Sequence, residues 1–181
     1  MAKQVLFLQG GGEGGYDADQ ALADSLQQHL GDNYAVEYPK MEGERGADYA
    51  FWADTIGRFI DASGDGVILA GHSFGASLIL KYLSENKVDT RIAGVFLVAP
   101  PFWGAEDWEV DDYVLQSGWA DKLPSGVPIF LYHAKDDEVA PLSHVESYAA
   151  HLPQATVRVL ESGGHQINEN LSAVAADIKA L

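Results

Sequence analysis

Apolar residues along this chain follow two alternating rhythms. Short, β-branched, nearly continuous apolar runs occur at 5–8, 35–38, 67–70, 94–98, 129–132 and 156–160, and runs of this length bounded by polar residues are predicted strands. Between them, apolar side chains recur at helical spacing. Ala18, Leu22, Leu26 and Leu30 make one stripe, with Gly31 as its stop. Trp52, Ile56, Phe59 and Ile60 make a second, and Val145, Tyr148, Ala149 and Leu152 a third. Ile167, Leu171, Val174 and Ile178 make a fourth, with Asn168 or Asn170 as its cap. Such alternation calls for an α/β fold: three α/β/α layers around a mainly parallel, six-stranded sheet.

One segment breaks the pattern. Residues 100–123 carry Phe102, Trp103, Trp108, Tyr113 and Trp119 among Glu106, Asp107, Glu109, Asp111 and Asp112, with no strand period. Following the fourth strand, the segment is expected above the C-terminal edge of the sheet, where open α/β folds bind ligands. It reads as a lid or specificity segment, or else as a surface excursion with one short helix. Phe102, Trp103 and Trp108 are its candidate substrate-binding residues.

Composition narrows the chemistry. At 181 residues, 1–181 is expected to form one domain with a core large enough to need neither disulfide nor metal. There is no cysteine, which excludes thiolate chemistry and cysteine-bound zinc. The charge of -16, from 27 acidic and 11 basic residues, argues against nucleic acid or an anionic membrane as partner. The N-terminus enters a strand-like run at once, and no apolar stretch approaches the roughly 18 residues of a membrane span. A soluble cytoplasmic protein is the expectation.

The candidate chemistry centres on Gly71-His72-Ser73-Phe74-Gly75. An apolar strand precedes it and the helical run 76–83 follows, so Ser73 is expected in a strained strand-to-helix turn whose flanks must be small. A serine hydroxyl becomes a nucleophile only beside a base that a carboxylate orients. The fifth predicted strand is followed by His133-Ala134-Lys135-Asp136-Asp137-Glu138-Val139-Ala140-Pro141, which supplies the carboxylate. The sixth is followed by Glu161-Ser162-Gly163-Gly164-His165, which supplies the imidazole. Both loops open at the edge where Ser73 sits. The other histidines fit this role less well: His29, His144 and His151 read as surface residues, His133 as a buried structural group, and His72 as a packing or orienting group.

With Gln9-Gly10-Gly11-Gly12 after the first strand, these motifs cover nearly the whole chain, and in this order they resemble the α/β-hydrolase superfamily. The small size is similar to compact serine hydrolases of the RBBP9/YdeN type, which lack the first two strands of the full fold. The resemblance implies sheet order 2-1-3-4-5-6, with the first and third strands adjacent at the reversal. It also implies Asp137 as the acid, two residues before the Val139-Ala140-Pro141 segment, with Asp136 as the competitor. His165 would be the general base, and the backbone N–H groups of Phe74 and of Gly11 or Gly12 the oxyanion donors. The implied activity is that of a serine carboxylesterase acting on small or medium esters through an acyl-serine intermediate, with no cofactor. The glycine run lacks both the Lys-Ser/Thr of a P-loop and a dinucleotide spacing, and no histidine or carboxylate cluster has metal-ligand spacing. The rival reading is a non-catalytic interaction protein on a hydrolase scaffold; a variant of the main one uses peroxide in place of water.

Overall fold

The computed structural model describes residues 2–41, 48–105, 108 and 110–181; Glu106, Asp107 and Glu109 of the aromatic–acidic segment lie outside the described residues. Its strands are β1 (Lys3–Leu8), β2 (Tyr34–Glu37), β3 (Val67–His72), β4 (Ile92–Val98), β5 (Ile129–Ala134) and β6 (Thr156–Leu160). They form one sheet in the order β2-β1-β3-β4-β5-β6, and every pairing is parallel. The helices are α1 (Gly15–Leu30), α2 (Tyr49–Ser63), α3 (Ser73–Glu85), α4 (Leu142–His151) and α5 (Ser172–Lys179).

Side chains alternate across each strand, so the apolar runs feed two cores at once. Leu6, Leu8, Val67, Leu69, Val95, Leu97 and Leu131 pack against α2, α3 and α4 on one face. Val5, Phe7, Ile68, Ala70, Phe96, Val98 and Tyr132 pack against α1 and α5 on the other. This explains why the runs read as continuously apolar. Because α1 leaves β1 toward one face while α3 leaves the adjacent β3 toward the other, their connections part above the sheet and leave a crevice there.

The fourth predicted stripe needs correction. Helix α5 begins at Ser172, while Ile167 belongs to a separate short turn, Ile167–Glu169. In that turn Ile167, Asn168 and Glu169 have φ of 40°, 55° and 53°, left-handed values that cannot continue into a right-handed helix. Asn170, not Asn168, assists the helix start, its Oδ1 accepting the Ser172 N–H at 2.9 Å. Ile167 and Leu171 nevertheless stay in the core beside Val174 and Ile178.

The described residues of segment 100–123 include two short 3-10 turns, Asp111–Tyr113 and Trp119–Lys122. Several contacts fasten it to the helices beneath. The Tyr148 hydroxyl donates to the Pro101 carbonyl at 2.8 Å, and Lys81 Nζ donates to the Val114 carbonyl at 2.9 Å. Trp119 is buried, with its ring edge-on to Tyr148. Among the described residues, no helix is long and apolar enough to cross a membrane.

Candidate active site

The chain reverses sharply where β3 ends at His72 and α3 begins at Ser73. Ser73 adopts φ of 50°, a left-handed conformation that a non-glycine residue takes only under local constraint. The two flanking glycines are required by close backbone approach. A Cβ at Gly75 would lie 2.6 Å from the Leu8 carbonyl oxygen, and one at Gly71 would lie 2.9 Å from the Ala76 nitrogen. The start of α3 is thereby pressed onto the end of β1.

Two later loops meet this turn. His165, after β6, sets its Nε2 2.9 Å from Ser73 Oγ and its Nδ1 2.8 Å from Asp137 Oδ2. Asp137, after β5, is buried, and its Oδ1 accepts the N–H groups of Val139 and Ala140 at 2.8 and 2.9 Å. Burial by itself would raise the Asp137 pKa. The hydrogen bond from His165, the Ala140 N–H, electrostatic attraction toward the His165 ring and the Val139 N–H outweigh it and hold the carboxyl below its ordinary value. With Asp137 ionised, Nδ1 must carry the hydrogen, which leaves the Nε2 lone pair facing the serine hydroxyl.

The neighbouring Asp136 has a different place. It is exposed, and its Oδ1 accepts the Gly164 N–H at 2.8 Å, which ties the Asp137 loop to the loop carrying His165. His133 is fully buried and bonds through Nε2 to the Ala140 carbonyl at 2.7 Å. Burial depresses its pKa, so it backs the Asp137 loop as a neutral group.

His144, expected on the surface, is instead buried at 3 % exposure, because segment 100–123 folds over the start of α4. Its Nδ1 accepts the Phe102 N–H at 2.9 Å, and its ring meets Trp108 edge-on. Burial, and then the proximity of His133, lower its pKa and keep that acceptor available.

The candidate substrate-binding aromatics Phe102, Trp103 and Trp108 take three different places. Phe102 turns its ring onto α4, 4.9 Å from Tyr148 between centroids. Trp103 stands edge-on to Phe74 at 6.0 Å, with its indole N–H donating to Ser77 Oγ at 2.9 Å. Trp108 lies behind Trp103. Trp52 and Tyr113 complete the cluster around Phe74, with centroids 5.7 and 4.9 Å away. Trp52 read as a core position and Tyr113 as one aromatic among several; only their convergence on the residue after Ser73 distinguishes them.

Gly11 also meets Phe74. A Cβ at Gly11 would lie 3.0 Å from Phe74 Cβ, so only glycine lets the first-strand loop approach this closely. Gly12, with φ of 90°, turns the chain into α1, and its carbonyl accepts the Gly15 N–H at 3.2 Å. Beneath this loop lies Asp19, which sequence reasoning missed. It is 1 % exposed and bonds to Gly10, His72 and Gln166. Its signal was available: Asp19 shares a helix face with Leu22, Ala23 and Leu26, where a carboxylate needs a buried partner. Among the described residues, no group of three or more His, Asp or Glu side chains is placed to share a metal ion.

A family model described as serine hydrolase matches residues 19–174, a span that includes Ser73, Asp137 and His165. The chain belongs to the serine hydrolase family. No protein of curated function matches this serine hydrolase by sequence. Its fold is similar to that of the ydeN gene product of B. subtilis, with a TM-score of 0.78 and 19% identity over 99% of this chain and 98% of that one. A putative hydrolase of the alpha/beta superfamily from Xanthomonas campestris pv. campestris aligns over 100% of both chains, with a TM-score of 0.70 and 24% identity. A serine hydrolase involved in carbazole degradation shares the fold with a TM-score of 0.73 and 15% identity, over 99% of this chain and 90% of that one. The chain thus has hydrolase character at the level of the family, on a compact fold that closely resembles that of the ydeN gene product.

Proposed function

We propose that this serine hydrolase is a carboxylesterase that cleaves small or medium esters through an acyl-Ser73 intermediate. The observation carrying this reading is the unbroken chain from Ser73 Oγ through the His165 imidazole to Asp137, with links of 2.9 and 2.8 Å. In the first half-reaction Ser73 Oγ bonds to the ester carbonyl carbon while its proton passes to His165 Nε2. The oxyanion that forms is met by the Phe74 N–H and one from the Gly11–Gly12 turn, each such donor contributing about 3 kcal/mol. Collapse breaks the bond to the alcohol oxygen, which takes the proton from His165. Water then repeats the sequence on the acyl-enzyme, giving up its proton to His165, and releases the acid and free Ser73. Asp137 remains ionised throughout, holding the imidazole tautomer and balancing its charge.

The aromatic cluster of Phe74, Trp52, Trp103 and Tyr113 supports an apolar acyl or alcohol group. The surplus of acidic residues disfavours strongly anionic substrates. Expected results are fluorophosphonate labelling of the wild type but not of Ser73→Ala, and turnover of p-nitrophenyl esters that falls as the acyl chain lengthens. Equal labelling of both proteins would refute the role of Ser73.

A further inference from the structure

Asp19 and His72 form a second buried acid–imidazole pair, lying behind the first. Both are 1 % exposed, and His72 Nδ1 is 2.8 Å from Asp19 Oδ2. The same Oδ2 accepts the Gly10 N–H at 2.6 Å, and Oδ1 accepts the Gln166 side-chain amide at 3.0 Å. On its far side, His72 Nε2 is 3.0 Å from the main-chain carbonyl oxygen of His165.

The partners dictate the hydrogens. A carbonyl oxygen can only accept, so Nε2 donates; a carboxylate whose two oxygens already receive N–H groups can only accept, so Nδ1 donates as well. Burial alone would raise the Asp19 pKa. The His72 hydrogen bond and charge, the Gly10 N–H and the Gln166 amide together hold it below its ordinary value, consistent with an ionised acceptor.

Together the contacts reach three parts of the candidate site. Gly10 directly precedes the proposed oxyanion loop, His72 directly precedes Ser73, and His165 and Gln166 lie on the loop after β6. A Cβ at Gly10 would lie 3.2 Å from Asp19 Oδ2 and 3.3 Å from His72 Nδ1, so only glycine allows this approach without displacement. Burying a carboxylate is costly, and the three contacts that join this pair to its surroundings all end on segments of the candidate site.

We infer that Asp19 and His72 are positioning residues: with hydrogens on both ring nitrogens, His72 clamps the His165 main chain while Asp19 clamps the Gly10 loop. This holds donors, nucleophile and base in register from behind. The inference rests on the proposed esterase chemistry.

The test uses the full-length protein and p-nitrophenyl acetate, with turnover counted per active site by fluorophosphonate titration. Asp19→Asn keeps the shape and removes the charge. An asparagine amide nitrogen overlays Nδ1 of histidine and a glutamine amide nitrogen overlays Nε2, so His72→Asn loses the contact to the His165 carbonyl and His72→Gln keeps it. Asp19→Asn and His72→Asn are expected to lower kcat about 10- to 100-fold, the loss that displacing reacting groups by up to about an ångström brings, with little change in KM. His72→Gln is expected to retain more turnover than His72→Asn. Turnover per active site within about two-fold of wild type in all three, whatever their melting temperatures, would make the pair structural only and overturn the inference. Nitrogen-15 NMR of histidine-labelled wild type provides a check that needs no variant to fold: both ring nitrogens of His72 are expected to bear protons, and one bare nitrogen would overturn the inference. A wild type that turns over no ester would remove the esterase reading alone, and the NMR result would still decide the state of the pair.

Discussion

The sharpest consequence of the turn geometry concerns Gly75. Its missing side chain is what allows the first turn of α3 to rest on the end of β1. In Gly75→Ala the new Cβ would press on the Gln9 carbonyl oxygen and stand 2.6 Å from the Leu8 carbonyl oxygen, where ordinary contact begins at 3.4 Å. At least about 0.8 Å of separation must therefore be opened between two backbone segments, neither of which can swing aside as a flexible side chain would. Overpacking of this kind costs about 3 kcal/mol, equivalent to a fall in melting temperature of roughly 6–12 °C for a chain of this size. The shift also carries Ser73 away from His165 and the first-strand loop. Misplacement by an ångström costs about 100-fold in rate, and a loss of that order is expected in kcat/KM for p-nitrophenyl acetate. Gly71→Ala provides the graded comparison: its nearest backbone contact is 2.9 Å, so about 0.5 Å must open and both losses should be smaller. Thermal melts and ester kinetics on the two variants test this ordering. A Gly75→Ala protein that melts with wild type and turns over ester at the wild-type rate, or a reversed ranking, would refute the reasoning.

Two further outcomes follow. His165→Ala is expected to lose ester turnover by several orders of magnitude, whereas His144→Ala should retain it because His144 touches the wall segment and not Ser73; parallel kinetics on the two variants check this. Acid should destabilise the fold in two stages, measured by urea midpoints across pH. His133 and His144 have folded pKa values depressed by burial, so the unfolded state binds more protons, and stability begins to fall as pH drops below about 6.5. Asp137 and Asp19 also have depressed folded values; their contribution is fully present above the unfolded value of about 3.9 and is lost as pH falls through the folded values. A midpoint unchanged from neutral pH down to about 3 would contradict both stages.

Local pattern carried much of the architecture. Runs of β-branched residues alternating with helical stripes placed all six strands within two residues of their observed limits, since each rests on a periodicity that burial on two sheet faces imposes. The left-handed turn at Ile167–Glu169 was hidden, because its apolar residues keep helical spacing while the backbone does not. His144 appeared superficial because nothing in its own helix announces that segment 100–123 folds over it. Asp19 and His72 lie 53 positions apart, and neither residue's neighbours in sequence suggest the other.

The sequence by itself determined that a serine stands at a glycine-flanked strand-to-helix turn and that an acid loop and a histidine loop follow the last two strands. Tertiary structure decided which groups meet. Of the adjacent pair Asp136 and Asp137, successive side chains leave the backbone in different directions. The Val139 and Ala140 N–H groups capture Asp137 beneath the imidazole, while Asp136 turns out to hold Gly164. Likewise, the second buried pair exists because parallel β1 and β3 bring the start of α1 against the end of β3, a proximity that no local pattern along the chain encodes.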